Sequence, residues 1–227
     1  MSDLAIVETI LRSRTFFFGE IRGAVLLGNK ISSMLLSCFT FLAIYGAVMG
    51  ASHSPLQVVA SALKLPALFL VTLLICTPSL HYFNILFGSK QTMGQTVALI
   101  LTAMTTTSVI LVSFAPITLF FLLTTANYPF FKLLNVIFFA IAGGMGVVFL
   151  TQGFQIISES DNLEGVQMRR NIFIIWVLLY GFVGSQMAWT LSPFIGEPGH
   201  EFILFTQFGG SFYADVLASI SQLLSGG

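Results

Sequence analysis

Long apolar runs separated by short polar breaks make up most of this chain. Ile31 to Ala51, Leu65 to about Phe87, Gln95 through Phe114 towards Leu123, Phe130 to Phe154, and Ile172 to about Leu191 stand out. Each holds the roughly 20 mostly apolar residues that a helix needs to cross hydrocarbon. The pattern predicts an all-α, polytopic membrane helical bundle with five transmembrane helices. Pro78 lies inside the second run and Pro116 inside the third. Each is a candidate kink or break, because proline removes one helical hydrogen bond and crowds the preceding turn. Were Pro116 to Thr125 a separate re-entrant piece the count would be six, although ten residues are too few to cross alone.

The flanks carry amphipathic spacing. Leu4, Val7 and Leu11 recur at helical intervals, and Phe17, Ile21 and Val25 continue the stripe past Gly19 and Gly23. Glu8, Arg12, Arg14, Arg22 and Lys30 lie largely off it. Such a helix either rests on the membrane surface or packs on the protein's own cytoplasmic ends. Residues 1–30 do not read as a signal peptide, since the first long apolar run begins only at Ile31. At the other end, Pro193, Gly196, Pro198 and Gly199 mark a turn-rich loop, and Gly209-Gly210 precedes a final segment, Ser211 to Ser225. Phe212, Val216, Ile220 and Leu223 or Leu224 give that segment an apolar face, with Ser211 placed to cap its start. It is expected to lie on the outer leaflet or to close over the bundle. The organisation is therefore a cytoplasmic amphipathic segment (1–30), a transmembrane bundle (31–191) and an external tail (192–227).

Composition sharpens this picture. Apolar residues make up 56% of the chain and charged residues 8%, nine basic and nine acidic. A soluble domain carries about 25% charged residues, so this chain cannot cover a normal water-facing surface. A soluble enzyme, a nucleic-acid binder with a basic face and a disulfide-stapled module are all excluded on these grounds. No Asp or Glu occurs between Glu20 and Glu159. With the N-terminus inside, the inner segments hold seven basic residues (Arg12, Arg14, Arg22, Lys30, Lys90, Arg169, Arg170) against Lys64 and Lys132 outside. That asymmetry predicts a cytoplasmic N-terminus and an external C-terminus, in a bacterial inner or internal membrane. Cys38 and Cys76 fall in apolar runs and behave as small hydrophobes.

Small residues four apart let helix backbones approach closely in lipid. Gly46 with Gly50, Ala140 with Gly144, Ala142 with Gly146, and Gly181 with Ser185 have this spacing. They read either as tight packing within one bundle or as a face for a homo-oligomer or another membrane subunit. The intramembrane polar residues His81, Asn84, Lys132, Asn135 and Gln186 are candidates for function or for bonds between helices. Thr105 and Thr106 belong to a hydroxyl-rich third span that could line a polar path or bond to its own carbonyls. Pro78 to Asn84 and Pro129 to Asn135 share a spacing that suggests a parallel repeat, an arrangement found in transporters. Trp189 is placed as an interface anchor.

Catalytic patterns are lacking. Gly184-Ser185-Gln186 has no nucleophile-elbow flanks, the spans hold no carboxylate, and His53, His81 and His200 are scattered. Ala142 to Gly146 lacks the Lys-Ser/Thr of a phosphate loop. The reading is a protein with no catalytic, metal or cofactor site and no nucleic-acid partner.

Gly184-Ser-Gln-Met-Ala-Trp189-Thr-Leu-Ser-Pro193-Phe-Ile-Gly196, leading to Phe202, Phe205 and Gly210-Ser-Phe-Tyr213, is the most distinctive stretch. Together with Ser61 to Pro66 and Phe114 to Thr118 it resembles a group of bacterial polytopic membrane proteins that carries no known activity. The five-span layout with a cytoplasmic N-terminal segment is also similar to the Yip family, on layout alone and with no functional residue transferred. The functional expectation is a non-enzymatic structural, assembly or accessory subunit of a bacterial membrane complex, whose partners are the bilayer and either copies of itself or other subunits. The alternative is a transporter or channel subunit with a pathway along the third span. A third expectation is lipid handling through the N-terminal helix.

Overall fold

The computed structural model describes residues 3–86, 88–125, 127–158, 166–196, 203–205 and 210–224. Two short helices, α1 (Asp3–Arg12) and α2 (Arg14–Arg22), precede five long ones: α3 (Leu27–Gly50), α4 (Pro55–Leu86), α5 (Met93–Thr124), α6 (Tyr128–Ser158) and α7 (Val166–Leu191). A final helix, α8, spans Phe212–Leu224. All five long helices are long and apolar enough to cross a membrane, and the chain is a polytopic helical bundle. Glu159, Glu197, Pro198, Gly199, His200, Glu201, Phe202, Gly209 and Ser225, singled out in the sequence, lie outside the described residues.

Neither predicted proline break forms. α4 runs through Pro66 and Pro78, and α5 runs through Pro116 to Thr124, so no re-entrant piece separates from it. In hydrocarbon a broken helix would strand a full turn of backbone donors and acceptors, a larger cost than the one bond proline removes. Thr92 starts α5 with a reciprocal capping box to Gln95, and Ser211 caps α8 as its sequence predicts, its hydroxyl accepting from the Ala214 N–H at 3.3 Å. The second span departs most from expectation, beginning at Pro55 rather than Leu65. Gln57, Ser61 and Lys64 make that first stretch look like a loop, yet all three are buried.

The bundle is built around α3 and α5. α3 packs along both α4 and α5, α5 packs along α6, and α4 also carries α7. Gly46 and Gly50 make the α3–α4 contact, where a methyl at Gly46 would strike the Ser61 carbonyl and one at Gly50 would lie 2.5 Å from the Gln57 oxygen. This pair therefore serves internal packing. Gly146 does the same for α5 and α6, against Thr107 and Ala103.

The N-terminal segment settles on the bundle. Ile6, Ile10, Phe17, Phe18 and Ile21 are at most 1% exposed. Gln95 donates to the carbonyls of Ile21 (3.2 Å) and Arg22 (2.7 Å), and Arg14 donates to Gln152 at 2.9 Å while lying over Phe149. The chain interrupts its helix at Ser13, which rotates the inward face. Of the predicted stripe, Val7, Phe17 and Ile21 are buried and Leu11 and Val25 are exposed, and Ile6, Ile10 and Phe18 join the inner positions.

The Pro-x5-Asn motifs do not share a level. Pro78 stands deep in α4, and Pro129 stands in the first turn of α6, so Asn84 and Asn135 fall near opposite ends of the bundle. A parallel repeat requires them in register.

Substituting Gly46→Ala or Gly50→Ala is expected to destabilise the protein by about 1–3 kcal/mol, because backbone rather than a mobile side chain blocks the added methyl. Gly144→Ala and Gly181→Ala, where an added methyl meets nothing within 4 Å, are expected to be neutral. Thermal unfolding in detergent micelles checks the contrast.

Candidate functional site

Three polar residues at helical spacing on α4 hold the segment that follows α7. Gln57 donates to the Pro193 carbonyl at 2.9 Å, Ser61 to the Phe194 carbonyl at 2.6 Å, and Lys64 to the carbonyls of Pro193 (3.4 Å) and Leu204. The Lys64 ammonium also lies 5.0 Å from the centre of the Phe205 ring. Pro193 and Phe194 lie past the end of α7, beyond its helical hydrogen bonds, and the α4 stripe satisfies their carbonyls in an apolar setting. The positions i, i+4 and i+7 are the signal in the sequence. It is legible only once the helix is known to begin at Pro55.

α7 is the least embedded span, with 11% of its most apolar window buried against 33% for each of the other four. Its main attachment to α4 is Trp176, whose indole N–H is shared between the Cys76 carbonyl (3.0 Å) and the Ser79 hydroxyl (3.1 Å). α6 and α7 do not pack along one another. They meet where Phe154 and Phe173 stack, with ring centres 4.4 Å apart. Above that stack the helices stand apart and bound a cleft of about 830 Å³, backed by α4 and α5.

Small residues face this cleft from both sides: Ala140, Gly143 and Gly144 from α6, and Gly181, Gly184 and Ser185 from α7. Unlike Gly46 and Gly146, the glycines among them have no facing backbone where a Cβ would stand. A methyl at Gly143, Gly144 or Gly181 would meet no atom within 4 Å, and Gly144 and Gly181 are exposed, so the cleft opens sideways between the two helices.

α8 closes the cleft at the tail end. Phe212, Asp215, Ala218, Ser219 and Gln222 form its inward face, while Leu217 and Leu224 point away and are 65% and 83% exposed. Asp215, Ser219 and Gln222 thus turn towards the protein and leucines turn outward, the arrangement suited to lipid outside rather than water. Asp215 pairs with Lys132 of α6, and Tyr213 bonds the Ser185 hydroxyl at 3.0 Å. Of the two positions its sequence allowed, α8 therefore takes closure over the bundle.

The other nominated residues separate into two groups. Asn135 lines the cleft but is held by Tyr45, whose hydroxyl donates to its carbonyl oxygen at 2.8 Å, and its own amide donates to the Phe131 carbonyl. Thr105 and Thr106 are buried where each hydroxyl bonds the carbonyl four residues back, at 2.8 and 2.9 Å, and neither lines the cleft. His81 meets the Thr96 hydroxyl at 3.3 Å, away from the cleft. Asn84 is fully buried with neither amide atom hydrogen-bonded. Gln186 is half-buried on α7 and does not line the cleft. Trp189, expected as an interface anchor, stands in the cleft wall with its ring close to Gly210. Among the described residues no three His, Cys, Asp or Glu side chains come together.

Lys64→Met keeps the apolar stem but removes the donor. It is expected to release the tail and raise its cleavage rate severalfold when protease is added to reconstituted protein; an unchanged rate would show that other contacts hold the segment. No family model, curated protein or solved structure matches this chain.

Proposed function

We propose that this chain is a non-enzymatic integral membrane protein that works as an accessory subunit by holding a lipid-class amphiphile in the cleft between α6 and α7. The observation that carries the proposal is the pair of small-residue faces that oppose each other without touching. Elsewhere in the same bundle this residue type brings helices together, at Gly46 of α3 against α4 and at Gly146 of α6 against α5. Here it leaves volume.

The volume of the cleft, about 830 Å³, is that of a small-molecule site. Ligand pockets fall at about 300–1,000 Å³. The lining is mostly apolar from Leu150 and Trp176 to the α8 end, where Lys132 and Asp215 stand, which suits a molecule with a hydrocarbon end and a polar end. The lateral opening faces the phase where such molecules dissolve.

The proposal includes a cytoplasmic N-terminus and an external C-terminus in a bacterial inner or internal membrane, supported by the distribution of Lys and Arg. The alternative, a transporter with its path along the third span, draws no support from Thr105 and Thr106, whose hydroxyls are spent on their own helix.

Gly144→Leu combined with Gly181→Leu fills the cleft from positions that accept side chains. Wild-type protein released from membranes in mild detergent is expected to retain lipid under native mass spectrometry, and the double variant to lose it with an unchanged melting temperature. Equal retention by a folded double variant would overturn the reading.

A further inference from the structure

We infer that the Lys132–Asp215 pair sets the charge of the head group the cleft accepts, so that it takes an amphiphile with no net head-group charge; this rests on the cleft reading above. Lys132 and Asp215 are the fixed charges among the described residues lining the cleft. They are paired with each other, one from α6 and one from the first turn of α8. Both are largely withdrawn from solvent, with side chains 22% and 29% exposed.

A charge in such a setting is stable only with a partner. The pair closes that account within the protein, which leaves no fixed countercharge for a ligand. An anionic head group would have to displace Asp215 from Lys132 and leave a carboxylate unmatched beside hydrocarbon; a cationic one would do the same to Lys132. A zwitterionic or uncharged head group can lie at the α8 end of the cleft, beside Lys132 and Asp215, without breaking the pair. The same pair ties α8 to α6, so a ligand of the wrong charge would also have to detach the helix that closes the cleft.

Removing one member should invert the selection. In Asp215→Asn the ammonium of Lys132 is left for the ligand, and an anionic head group becomes its partner. The probe is a nanodisc bilayer of equal parts phosphatidylethanolamine and phosphatidylglycerol, followed by native mass spectrometry of the lipid that stays bound. Wild type is expected to retain the zwitterionic lipid in preference, and Asp215→Asn to shift the ratio towards the anionic lipid by about tenfold, the order of a single charge contact in a half-solvated site. Because Asp215→Asn also removes a tie between α8 and α6, the exchanged pair Lys132→Asp with Asp215→Lys provides the second variant. It restores the pairing and is expected to restore the wild-type ratio. Wild type selecting the anionic lipid, or Asp215→Asn keeping the wild-type ratio, would overturn the inference while leaving lipid binding intact. Wild type retaining no lipid would remove the cleft reading itself and this inference with it.

Discussion

Close approach of α3 to α4 is the constraint on which the rest of the molecule depends. In lipid no hydrophobic effect drives two helices together, and dispersion rewards them only where backbones come near. Gly46 and Gly50 permit that approach against the Ser61 and Gln57 carbonyls. Once α4 is seated there, its other faces are available. One carries α7 through Trp176, and the Gln57, Ser61 and Lys64 stripe holds the tail. The turn of α4 that meets the glycines is also the turn that binds Pro193 and Phe194, so packing and tail placement share the same residues.

Glycine and alanine have two consequences within this fold. Where the facing helix presents backbone within reach, they close a contact. Where α6 and α7 are held apart by the Phe154–Phe173 stack at one end and by α8 at the other, they open a cleft. What decides between the two is the spacing of the helices, which large residues at the ends impose. The scarce charges follow a similar division. Lys64 is spent on carbonyls and Lys132 on Asp215, and both of the basic residues expected in outer loops thus serve contacts within the protein.

Much of the architecture was legible in the chain. Five apolar runs became five helices, Ser211 capped the last helix, and the GxxxG pair marked a real close contact. The candidate site was legible only in fragments. Gly144, Gly181, Ser185, Lys132 and Trp189 were all singled out, each for a different reason, and nothing in their spacing says that they surround one volume. Gln57 and Trp176 carry no signal of their own, and Lys64 reads only as an outer charge, because a polar start makes a helix look like a loop and an indole in an apolar run looks like filler. The third-span hydroxyls drew notice and proved to be bonded to their own backbone, a local option that residue type alone does not reveal.

The sequence by itself determined the solvent this protein lives in and the number of times it crosses that solvent. Both follow from the length of uninterrupted apolar runs, a property of consecutive residues that no fold can change. The tertiary structure decided which small residues touch and which stand apart, which way α8 faces, and which charge neutralises which. Those outcomes depend on distances between helices far separated along the chain, and they are set by the few bulky or polar residues that hold the helices at those distances.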